Sequence, residues 1–151
     1  MVDPTGRLIV LIRDNASVTS VTAGKVRGTE RLKGWEPPFV IVRRVTSNPW
    51  IGDPRTETAD VGTFRYDALC YGQRITADER VDDAATFRLA GLVSDSVNNH
   101  GILTFPLSAG TGVIFRIQED STTPALRDPA TGEPFVVVTL TVLAGTQVLA
   151  A

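Results

Sequence analysis

Thr63-Phe64-Arg65-Tyr66-Asp67-Ala68-Leu69-Cys70-Tyr71 is the stretch whose reading decides the fold. Successive side chains of a strand point to opposite faces, so Phe64, Tyr66, Ala68 and Cys70 share one face. Arg65, Asp67, Leu69 and Tyr71 share the other. One face is apolar throughout and the other is mixed. That is the pattern of an antiparallel sheet covered on one side only. Gly72 ends the run.

Outward from this strand, Phe39-Val40-Ile41-Val42-Arg43-Arg44-Val45 is a second strand, β-branched and free of breakers. The turn Arg31–Pro38, with Gly34 and Pro37-Pro38, precedes it. On the other side, Thr76–Asn99 reads as an amphipathic helix. Asp78, Glu79, Asp82 and Asp83 load its first turns with the charge a helix N-terminus favours. Val81, Ala84, Ala85, Leu89, Leu92, Val93 and Val97 make its apolar stripe. Asn98-Asn99-His100-Gly101 ends it. Further out, Asp3-Pro4 opens a first short helix through Leu8, Ile9, Leu11 and Ile12. A strand is expected near Val21–Gly28. Gly110-Thr111-Gly112 is a turn, and Val113–Ile117 and Phe135–Leu143 are strands. Thr46–Asp60 and Gln118–Pro134 are long polar loops, and Gly145–Ala151 is a tail. The expected fold is therefore a single α+β domain over residues 1–151. It has a mostly antiparallel sheet of about five strands in the order α-β-β-β-α-β-β, with two helices packed on one face.

Composition narrows the function. The chain has 151 residues, 15 basic and 17 acidic, for a net charge of −2. That suits one domain with its own core. The near-neutral balance argues against DNA as the main ligand, which needs a concentrated basic surface. The single cysteine, Cys70, allows no intramolecular disulfide, and one cysteine with one histidine makes a structural zinc site a poor fit. The N-terminal residues are too polar for a signal peptide, and no apolar run reaches about 20 residues. The expected place of synthesis is the cytosol. Nearly all the basic residues are arginine, whose planar fork suits protein interfaces.

Catalytic signatures were sought residue by residue. His100 lies in the polar sequence Asn98-Asn99-His100-Gly101, and no G-x-S-x-G elbow accompanies it. Cys70 lies mid-strand on an apolar face, as a small buried hydrophobe does. Gly110-Thr111-Gly112 lacks the Lys-Ser/Thr of a phosphate loop. The carboxylates from Asp78 to Asp83 lack the spacing and glycine of a calcium loop. Asn15-Ala16-Ser17 matches a glycosylation acceptor only by chance. The reading is no enzyme, no cofactor and no metal. What remains is surface: Trp50, Ile51 and Arg55 in one long loop, Leu126 and Arg127 in the other. Exposed aromatic and arginine residues are typical interface anchors. Trp50 also fits a lid folded onto its own domain.

The ordered set of elements resembles the tail terminator (tail completion) proteins of long-tailed bacteriophages. The resemblance rests on the leading helix, Pro37-Pro38-Phe39-Val40-Ile41-Val42, the alternating strand Phe64–Tyr71, the alanine-rich helix from Asp83-Ala84-Ala85, and Arg127-Asp128-Pro129-Ala130-Thr131-Gly132-Glu133 before the last strand. It runs roughly from Leu8 to Leu143. The Thr46–Asp60 loop is longer than the pattern needs. The resemblance implies a homo-hexameric ring that caps the tail tube protein, ends tail elongation and docks a head-tail connector or stopper protein. DNA would only pass through its lumen, and the protein would lie at the head-proximal end of the tail in the virion. Trp50, Ile51, Arg55, Leu126 and Arg127 are the expected contacts to those neighbours. Arg43, Arg44, Arg65 and Asp67 are expected at subunit contacts. Other readings stay open on the same residues: a head-completion stopper or minor tail protein, and a monomeric ligand-binding or enzymatic α+β domain.

Overall fold

The computed structural model describes residues 3–48, 61–72, 83–98, 100–107 and 110–147. In chain order they form α1 (Thr5–Asp14), α2 (Ala16–Thr22), β1 (Val26–Gly28), β2 (Phe39–Asn48), β3 (Val61–Tyr71), α3 (Asp83–Asn98), β4 (Leu103–Leu107), β5 (Gly110–Thr122), β6 (Leu126–Arg127) and β7 (Pro134–Gln147). The strands form one seven-stranded sheet in the order β1-β2-β3-β7-β5-β4, with β6 beside β7. β1 runs parallel to β2, and the other pairs are antiparallel. The sheet is mixed and curls into a half-barrel.

This corrects the expected architecture of about five strands and two helices. Three helices are present, and β4 and β6 are additional strands. The segment read as the start of a strand near Val21 is instead the end of α2. Its start signal is Asn15, whose side chain accepts hydrogen bonds from Ser17 N at 3.1 Å and Val18 N at 3.2 Å. β-branched residues disfavour a helix only by tenths of a kcal/mol, and burial outweighs that. Val18 and Thr22, one turn apart, are both fully buried. The Thr22 hydroxyl satisfies itself on Val18 O at 2.9 Å. β1 shrinks to three residues. β4 carries Pro106, which cannot donate to a ladder and so sits on the edge strand.

One large core lies on the helix side of the sheet. Phe64, Tyr66, Ala68 and Cys70 of β3 meet Val136, Val138, Leu140, Val142 and Ala144 of β7 there. Leu8 and Ile12 of α1, Val18 of α2, and Leu89, Val93 and Val97 of α3 close over them. α3 comes close enough to touch backbone. A Cβ on Gly72 would lie 2.4 Å from Thr86 Cα, so only glycine fits where β3 ends. On the edge, the Phe105 ring lies over Gly112, its partner across the β4–β5 ladder, at 2.3 Å from where a Cβ would stand. α1 reaches both ends of the curl. Its Ile9 lies 3.1 Å from where a Cβ on Gly28 of β1 would stand, and its Arg7 Nε donates to Thr104 O of β4 at 3.3 Å.

Candidate assembly surface

The opposite face of the sheet divides into two parts. At one end, Phe39, Ile41, Leu69 and Tyr71 form a small buried cluster, with Trp35, Phe135 and Val137 packed against it. The Phe39 and Tyr71 rings stack at 4.6 Å, and Tyr71 and Phe135 at 5.2 Å. Two loops are tied down over this end. The Arg31 guanidinium lies 5.3 Å from the Phe39 ring centroid and pairs with Glu133 at 2.9 Å. Tyr71 Oη donates to Asp128 Oδ2 at 2.9 Å. Burial pushes the Tyr71 phenol up, and its bond to Asp128 adds to this. Burial also works to raise the Asp128 carboxyl. Hydrogen bonds from Ala130 N and Tyr71 Oη, with the Arg31 charge nearby, outweigh it and hold the group below the usual carboxylate range.

The remainder of this face is polar. Arg43 stands opposite Asp67, and Asp67 stands opposite Thr139, whose hydroxyl donates to it at 3.3 Å. Arg65 stands opposite Thr141, and the Thr141 hydroxyl donates to Asp120. Three of the residues expected at subunit contacts, Arg43, Arg65 and Asp67, therefore share one face of adjacent strands. Arg44 does not join them. It points to the helix side and pairs with Asp3 at 3.5 Å. Nearby, burial raises the Tyr66 phenol to about 12, and Thr5 bonds it at 2.9 Å.

The expected docking residues separate. Trp50, Ile51 and Arg55 lie outside the described residues. Leu126 and Arg127 form β6, opposite Phe135 and Pro134. Leu126 is exposed. Arg127 reaches the helix side instead and pairs with Asp83 of α3 at 3.1 Å, so its charge is engaged within its own chain.

Among the described residues the sheet has two open edges. β1 covers β2 only from Val40 to Val42, so Arg43–Asn48 carries no strand on that side among the described residues. β4 covers β5 only from Gly110 to Ile114, so Phe115–Thr122 is likewise uncovered among them. Each stretch holds an exposed apolar residue, Val45 at 54% and Phe115 at 41%. A cavity of about 470 Å³ lies against the first edge, lined by Gly28, Thr29, Val42, Arg43, Arg44, Asp3 and Thr5. The short strands at the corners are better protected. Pro106 removes a donor from the β4 edge, and Arg7 occupies the Thr104 carbonyl. The far half of β5, Gln118-Glu119-Asp120-Ser121-Thr122, was read as loop because it is polar. Its signal was only the alternation carried by Ile117 and Glu119 on the helix side.

The groups considered for chemistry sit apart. Cys70 is fully buried, and burial raises its thiol well above the ordinary range, which keeps it in the unreactive form. His100 Nδ1 lies 2.6 Å from Gly101 O beyond the end of α3. Among the described residues no three His, Cys, Asp or Glu side chains group as metal ligands, and no helix is long and apolar enough to cross a membrane. No protein-family model matches this chain, and no curated protein matches it.

Proposed function

We propose that this chain is a structural protein of a long-tailed phage virion, assembling as a ring that caps the tail tube, ends its elongation and offers a face to the head. The element order behind the family resemblance is amended by α2, β4 and β6, so that order is not the main support. The observation that carries the reading is the pair of unlike open edges at opposite ends of one sheet. A surface that meets a different surface on the next copy makes a head-to-tail contact, and such contacts close into rings when the rotation allows. Open edges of this length are an aggregation hazard that pairing with another copy removes.

The polar face sets Arg43 opposite Asp67 and Arg65 opposite Thr141, a mixed rather than basic surface, which suits a wall that does not grip passing DNA. Leu126, exposed opposite Phe135, is the described residue best placed to touch a tail tube or connector neighbour.

Electron microscopy of tails assembled without the protein tests this. Overlong or headless tails are expected. Tails of normal length joined to heads overturn the reading. Co-purification with capsids rather than tails would move the protein to the head side of the neck.

A further inference from the structure

We infer that β5 of one copy pairs antiparallel with β2 of the next, so that the sheet continues from subunit to subunit. This deepens the ring reading and rests on the chain meeting copies of itself. Three features of the sheet support it.

The first is direction. Three antiparallel steps separate β2 from β5, through β3 and β7, so the two strands run in opposite senses. A rotation that keeps strand direction therefore brings β5 antiparallel against the neighbour's β2.

The second is level. Following the register across the sheet, Asn48 lies in the row of Thr63, Leu143 and Arg116. Arg43 lies in the row of Asp67, Thr139 and Ser121. The uncovered stretches of β2 and β5 thus occupy the same rows. β1 projects below them on one edge, and β4 projects above them on the other. Copies set side by side without a shift meet along these stretches, and neither projecting strand obstructs the other.

The third is charge. Arg44 and Glu119 share a row on the helix side, through Tyr66 and Leu140. On the opposite side Arg43 stands one bulge away from Asp120, whose carboxylate accepts from Thr141. Across such a junction Arg44, which also pairs with Asp3 of its own chain, meets Glu119 in its own row, and Arg43 meets Asp120 one residue from its row, each pair on one face. Opposite charges directly across a ladder stabilise it, and like charges oppose it. The cavity beside Val42, Arg43 and Arg44 leaves the β2 edge accessible.

The test is cross-linking of the full-length chain carrying Arg43→Cys and Asp120→Cys. Along the sheet these positions are about 14 Å apart within one chain, at about 4.8 Å per strand. A disulfide needs Cα atoms within about 7 Å, so it forms only between copies. Native Cys70 is buried and does not compete. Mild oxidation, in solution and on isolated tails, is expected to give a ladder of linked species beyond the dimer. It should form at least ten-fold faster than with Arg43→Cys and Arg88→Cys, which pairs the edge with the exposed side of α3. Arg43→Glu is expected to weaken self-association a few-fold in sedimentation, and adding Asp120→Arg to recover part of the loss, the remainder coming from the introduced glutamate facing Asp67 of its own chain. A ladder no faster than the control in both preparations, or no rescue by the charge exchange, overturns the inference. If that happens while tails still end at the correct length, the ring reading survives with a different contact.

Discussion

The two faces of the curled sheet follow opposite rules. The helix side carries the main apolar core from β2 through β5, with Arg44 and Glu119 at its edges, and three helices cover it. The other side has one aromatic cluster under tied-down loops, and beyond it rows of Arg, Asp and Thr facing outward. Both faces belong to the same strands and have the same hydrogen-bonded backbone. The difference teaches that the helix-covered face holds the molecule together, while most of the other face contributes little to its packing.

Substitutions sharpen that contrast, starting with the helix side. Phe64→Ala removes a fully buried ring from the main core and is expected to cost about 3–5 kcal/mol in denaturant unfolding. A loss below about 1 kcal/mol would mean that the two faces are not so different. Gly72→Ala pushes β3 into α3 and is expected to cost about 1–3 kcal/mol, lowering the thermal midpoint.

On the other face the effects shrink. Tyr71→Phe deletes the bond to Asp128 while keeping the aromatic stack, and is expected to cost about 1 kcal/mol. The sign of its pH partner follows from linkage. The Asp128 carboxyl is held low in the folded state, so its contribution is present above the unfolded carboxylate value of about 4 and is lost as pH falls through the lower folded value. Asp128→Asn should therefore unfold with a flatter stability profile below about pH 4 than the parent chain. An unchanged acid slope would show that the bond to Tyr71 does not anchor this loop. Smallest of all, Arg65→Ala should leave unfolding within about 0.5 kcal/mol, because Arg65 is exposed on the free face. If it affects ring formation while sparing stability, the polar face takes part in assembly.

Much of this contrast was legible in advance. The alternation of Phe64, Tyr66, Ala68 and Cys70 against Arg65, Asp67, Leu69 and Tyr71 gave the division of β3 correctly, and both core clusters respect it. The strand from Phe39 and the one from Phe135 were readable from their β-branched runs. What failed was read from local composition alone. α2 hid behind valines and threonines, and the asparagine that caps it looked like a glycosylation acceptor. β4 hid behind a proline that only an edge tolerates. The polar half of β5 resembled loop, because an edge strand with one wet face need not be apolar. Of the expected contact residues, Arg43, Arg65 and Asp67 came together, whereas Arg44 and Arg127 turned to the helix side and found carboxylates there.

The amino-acid sequence by itself determined the inward face of β3 and the buried line Leu89, Val93 and Val97 of α3, since periodicity follows from the geometry of a single element; the exposure of Ala84 and Ala85 and the burial of Thr86 and Ser96 were set by how α3 lies on the sheet. It also determined the near-neutral charge and the lone cysteine. Tertiary structure alone decided the strand order, the parallel β1–β2 pair, and the rows that set Arg44 level with Glu119 and Arg43 level with Ser121 across the sheet. Those depend on which distant segments pair, and pairing is fixed by how the whole core fills rather than by any local signal.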